Sequence, residues 1–189
     1  MRELWIRKNR IRSNIRLKLY RTIPKTVLTY NSATWGLGKT DEDGLDSFHR
    51  NQLRKVLHIK WPNIIRNRDL YNVTKEIPLS LTILQNRWRL FGHILRLDRQ
   101  TPAQQSMFHY FAPSSQKGFR GRSRQTLPTT INRDLTQAQN TLNIKYIFGI
   151  ESFKDINDLH KLILIASDKA KFDKLAKEVL RAAQAERSF

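Results

Sequence analysis

Asn86-Arg-Trp-Arg-Leu-Phe-Gly-His-Ile-Leu-Arg96 is the stretch on which the fold turns. Leu90, Phe91, Ile94 and Leu95 recur at spacings of three and four, the period of a helix that buries one stripe. Arg89, His93 and Arg96 lie four and three apart and so share a second, cationic face. Upstream, Pro78 and Ser80 open the helix, and Ile83, Leu84 and Arg87 continue its stripe. Gly92 lowers helix propensity in mid-stretch, and close approach of another backbone would account for it.

The same period runs outward in both directions. Ser13 can cap a helix whose Ile15, Leu19 and Ile23 form one face, continuing past a kink at Pro24 to Val27, Leu28 and Trp35. Thr40, followed by Asp41, Glu42 and Asp43 in the first turn, starts a helix carrying Leu45, Phe48, Gln52, Leu53, Val56 and Leu57, which Trp61-Pro62 stops. Asn67 can cap a short helix through Leu70 and Val73, and Met107 to Phe111 fits another. Residues 112–128 have no period, two glycines, two prolines and four cations without an acid, which reads as a basic loop. Beyond it come a helix from about Pro128 to Asn140, an ambiguous apolar stretch Ile144–Ile150, and two helices split near Ser167. The second has Phe172, Leu175, Val179, Leu180 and Ala183 along one stripe. With seven glycines and six prolines in 189 residues, and no alternating pattern, the expected class is all-α.

Lysine plus arginine number 35 against 16 acids, a formal +19. Residues 1–40 hold ten bases and one acid, 41–60 hold four of each, and 136–189 mix nine with seven, as on a solvated helix face. A surplus of this size points to a polyanion, with nucleic acid as the expected partner. The absence of cysteine excludes disulfides, thiolate metal sites and cysteine nucleophiles. No apolar run approaches a membrane span, and Met1-Arg-Glu-Leu-Trp-Ile-Arg-Lys-Asn-Arg has charge where a signal peptide needs apolar residues, so an intracellular, nuclear or cytoplasmic, protein is expected.

Catalytic constellations are missing from the sequence. Asp41-Glu42-Asp43-Gly44 fails as a calcium loop because Asp46 and Gln52 stand where a glycine and a carboxylate are required. His49, His58, His93, His109 and His160 contain no pair four apart that could present two nitrogens to zinc. Neither a phosphate-binding glycine loop nor the adjacent aspartates of a polymerase palm occurs. The expectation is no catalysis, no metal and no cofactor. What remains is Lys117-Gly-Phe-Arg120-Gly-Arg122-Ser-Arg124, where alternate arginines of an extended chain project to one side and can fork onto successive phosphates. Lys117, Arg120, Arg122, Arg124, Arg87, Arg89, His93 and Arg96 are the expected nucleic-acid contacts.

Several blocks, in order, resemble the region after the reverse-transcriptase palm of LINE-type non-LTR retrotransposons. They are Lys18-Leu-Tyr20, Val27 to Trp35, Leu53 to Pro62, Asn67 to Tyr71, Arg87 to Arg96, Gly118 to Arg124, and Ile165 to Leu175. The resemblance spans about residues 16–189. Ser123 stands where the family usually has proline, and Phe172 where it has tryptophan. The resemblance implies a thumb-like helical region over 1–111, a basic loop or linker over 112–128 and a C-terminal helical tail over 129–189. Such a piece would grip RNA or DNA backbone without polymerising. The family's palm and fingers would lie on a segment encoded upstream, and apolar Leu4, Trp5, Ile6 and Ile11 would seek a partner in its absence. Two alternatives stay open: a part of an RNA-directed DNA polymerase, or a helical interaction module or decayed reading frame.

Overall fold

A computed structural model describes residues 11–111 and 125–187. Among these residues the protein has eight α-helices and no strand, which makes it all-α. The chain divides into two compact units between Ile83 and Leu84. Residues 1–10 and 112–124, including Leu4, Trp5, Ile6 and most of the expected basic loop, lie outside the described residues.

In the first unit, α1 (Ser13–Tyr20) runs through a π-helical turn (Arg21–Lys25) into a last turn, Thr26–Leu28. The wider turn accommodates Pro24, which has no N–H to give and whose ring crowds the preceding turn. The expected buried face Ile15, Leu19, Ile23 is a correction. Leu17 and Tyr20 are buried with Arg16, whereas Ile15 and Ile23 are exposed. Helix α2 (Lys39–Leu57) begins at Gly38, whose N–H donates to the Asp41 carboxylate at 2.9 Å, and ends at His58 in the left-handed conformation. Its buried face is Asp46, His49, Leu53 and Val56, and Phe48 points outward. Helix α3 (Asn67–Thr74) buries Leu70, Tyr71 and Thr74 while Val73 is exposed. Leu17, Tyr20, Leu53, Val56, Leu70 and Tyr71 make a small core.

Polar groups do much of the joining in this unit. Tyr20 Oη lies 2.7 Å from His49 Nδ1, and Asp46 accepts from the Ser80 N–H at 2.9 Å and its hydroxyl at 2.7 Å. Glu76 receives Arg21 Nε and Lys25 Nζ, each at 2.6 Å. Burial pushes the Glu76 carboxyl up, but the Lys25 and Arg21 hydrogen bonds outweigh it and hold the group below its ordinary value. Burial, assisted by Lys25, pushes His49 down to about 4. It is therefore neutral at pH 7, and its 3.8 Å approach to Glu76 is no ion pair. Burial also raises Tyr20, with Glu76 adding to it, so the phenol keeps its proton beside His49 Nδ1.

Helix α4 (Leu79–Leu95) begins in the first unit and supplies the frame of the second. There it is joined by α5 (Pro102–Phe111), α6 (Leu127–Leu142), α7 (Ile156–Ser167) and α8 (Lys169–Glu186). Thr126 caps α6, with Pro128 in the first turn where a missing N–H costs nothing. Asp168 separates α7 from α8 and accepts from the N–H groups of Ala170 and Lys171, so a carboxylate meets the positive end of α8. The stretch Ile144–Ile150 is a turn with one isolated bridge between Ile147 and Ile150. The core is aromatic. Phe91 meets Trp88 edge-on at 6.0 Å and Phe153 at 5.3 Å, and Phe111 meets Phe153 at 4.9 Å, with Leu135, Leu159, Leu162 and Val179 around them. Such ring pairs add about 0.5–1.5 kcal/mol each beyond the area they bury.

Candidate nucleic-acid interface

Helices α4 and α8 pack so that a cationic stripe of each borders one groove. From α4 come Gln85, Arg89 and His93, with Arg96 one residue past its end, and from α8 come Lys169, Asp173 and Lys177. Their spacings of three and four keep each set on one side of its helix. The groove has a volume of about 630 Å³, with Trp88 and Phe172 contributing apolar wall.

Gly92 makes this packing possible. A Cβ there would stand 2.3 Å from Cε1 of Phe172, so only glycine lets the ring lie against α4. What approaches is an aromatic side chain, where the sequence suggested a backbone. Phe172 is held in place by the same core, at 6.0 Å from Trp88 and 6.2 Å from Phe91. The Arg96 guanidinium carbon sits 6.0 Å from the Phe172 ring centroid, at the reach of a cation–π contact, which sets its planar fork beside the groove wall.

Four permanent cations and one carboxylate thus line the groove, leaving three positive charges in excess. Among the described residues, Arg89, Arg96, Lys169 and Lys177 have no acid within 4.0 Å. Unpaired cations flanking an apolar wall attract anions without losing a partner first. The two arginines can fork onto phosphate oxygens, and the two lysines act as mobile point charges.

Arg87 is a correction to the expected set. It is buried in the second unit, where Nη1 donates to both Asp134 oxygens at 3.1 and 2.9 Å, and Trp88 Nε1 donates to the same carboxylate at 3.2 Å. The carboxylate neutralises Arg87 inside the core, so this arginine has no charge to offer a ligand. Local spacing holds no sign of this pairing, because Asp134 lies 47 positions away. Lys169 and Lys177 were missed for the opposite reason. They belong to a segment of balanced charge, although their positions on either side of Asp173, at intervals of four, already put all three on one face. Lys117, Arg120 and Arg122 lie outside the described residues, as does Arg124.

Among the described residues no three histidine, aspartate or glutamate side chains gather as metal ligands, and no helix is long and apolar enough to cross a membrane. Comparison of the chain with protein-family models, curated proteins and solved structures gives no match.

Proposed function

We propose that this chain binds nucleic acid through the sugar–phosphate backbone and carries out no catalysis of its own. The α4/α8 groove on a +19 chain carries the reading: four unpaired cations from two helices, set around a fixed wall. Arg89, His93 and Arg96, with Lys169 and Lys177, form one part of the contact surface. Lys117, Arg120, Arg122 and Arg124 form a second. The resemblance to the post-palm region of LINE-type reverse transcriptases fits such a role, with the helices acting like the thumb that holds a template–primer duplex.

Counterion release supplies the test. Each phosphate contact contributes a log–log salt slope of about 0.7 on a single strand or 0.9 on B-DNA. Replacing Arg89, Arg96 and Lys177 together by alanine should flatten the slope by roughly two to three, uniformly across unrelated sequences, because phosphate pairing carries no base information. Replacing Arg120, Arg122 and Arg124 should do the same independently. Unchanged slopes in both triple variants would overturn the proposal. Extension of a primed template by the purified chain with Mg²⁺ or Mn²⁺ would overturn its non-catalytic part.

A further inference from the structure

The first unit has an apolar groove of about 460 Å³, walled by Ile23, Pro24, Val27 and Leu28 on the α1 side and by Phe48 on α2, with Tyr20 at its base. Val27 is 72% exposed and Phe48 46%, and Tyr30 beyond them is 82% exposed. Large apolar side chains collected on one face usually meet a partner. We infer that this face pairs with a second copy of the chain, two α2 helices crossing antiparallel about a two-fold axis at Phe48.

The pattern along α2 selects that partner. The helix runs from Lys39 to Leu57, which places Phe48 at its midpoint. On the same outer stripe Asp41 lies seven residues before Phe48 and Lys55 seven after it, about 10 Å to either side at the helical rise. A two-fold axis at Phe48 brings each Asp41 opposite the partner's Lys55, forming two equivalent ion pairs, and sets the two Phe48 rings side by side at the apolar groove. An isologous contact needs a surface complementary to itself, and a stripe acidic at one end, aromatic in the middle and basic at the other has that property when reversed.

Gly44 is an independent observation. It lies inside α2, where glycine costs about 1 kcal/mol relative to alanine. A Cβ added there would meet nothing within 4 Å in the monomer, so its own fold does not require it. In the antiparallel pair Gly44 falls opposite the partner's Gln52, four residues to the other side of the axis, where the missing side chain lets the helices come close. Charge favours this site for self-association as well. Residues 41–60 carry four acids and four bases, so two copies of a strongly cationic chain can meet here without the repulsion their other surfaces would impose.

The test uses the full chain, nuclease-treated, in sedimentation at 0.15 M salt over a range of concentrations. A concentration-dependent monomer–dimer equilibrium is expected. Phe48→Glu should weaken it by about 100-fold or more, and Lys55→Glu by about 10-fold, since it sets two acids against each other. Combining Lys55→Glu with Asp41→Lys should restore association to within about threefold of the parent, because the pair is then reversed. A parallel arrangement would give no such rescue. Because Asp41 also caps α2, a second measurement avoids that site. The chain has no cysteine, so Phe48→Cys places a lone thiol beside the axis and should give a covalent dimer on mild oxidation, whereas Val73→Cys on α3 should not. A monomer at every concentration, or equal cross-linking from both single-cysteine variants, would overturn the inference and leave the face to a different partner.

Discussion

The first unit is joined through buried polar groups around a small apolar core, whereas the second closes on tilted and edge-on aromatic rings. Tyr20, His49, Asp46, Ser80 and Glu76 hold the former through directional bonds between helices and the segment that follows α3. Trp88, Phe91, Phe153 and Phe172 hold the latter by packing, with one ion pair, Arg87–Asp134, inside. A polar core depends on protonation and on every partner being present, and an aromatic core depends on shape. The two units should therefore fail under different challenges.

The largest effect should come from removing one member of the enclosed pair in the second unit. Asp134→Ala leaves the Arg87 guanidinium buried without its counter-charge and should cost about 3–5 kcal/mol, read as a lowered urea midpoint. Asp134→Ala and Arg87→Met combined should recover much of that loss. If the single change proves as mild as the double, Arg87 reaches water and the buried-pair account fails.

Acidification should discriminate between the units next. His49 titrates at about 4 when folded and at its ordinary 6.5 when unfolded, so the unfolded chain binds more protons between those values. Its contribution is fully present above pH 6.5 and is lost as pH falls toward 4, a decrease on the order of 3 kcal/mol. Glu76, with its folded value depressed below 4.5, adds a further loss at lower pH. Amide exchange corrected for intrinsic rates should show protection falling first in the first unit, and His49→Gln should flatten the profile between pH 6.5 and 4. Equal loss in both units would show that His49 does not set the acid sensitivity of the first unit apart.

Gly92→Ala tests shape in the second unit and should cost about 1–3 kcal/mol, since the methyl must displace the Phe172 ring. Phe172→Leu in the same chain should relieve part of it. The smallest effect should be Val73→Ala on the first unit, within about 0.5 kcal/mol, because that side chain is mostly exposed and touches neither core.

The all-α class was legible because helical period survives in the sequence wherever a helix buries an apolar stripe, and the α4 and α8 stripes do so. It misled in α1 and α2. Ile15, Ile23 and Phe48 look like core residues by hydrophobicity, yet Tyr20, His49 and Asp46 take the inner face instead. Each of these has a hydrogen-bond partner 29 or more positions away, and desolvation becomes tolerable only when that partner is in place. The shared face of Arg89, His93 and Arg96 could likewise be read from spacing, whereas the joining of Lys169 and Lys177 to it could not.

Sequence alone determined the charge, the helical class and the placement of cations along individual helices, since each is a property of composition or of residues within about four positions of one another. Tertiary structure alone decided which charges are free and which are neutralised. Arg87 and Arg89 are two residues apart and chemically identical, but the first turns inward to meet Asp134 and the second lines the α4/α8 groove. Whether an arginine is available to a phosphate depends on the dielectric around it and the carboxylate within reach, and both are set by segments distant in the chain.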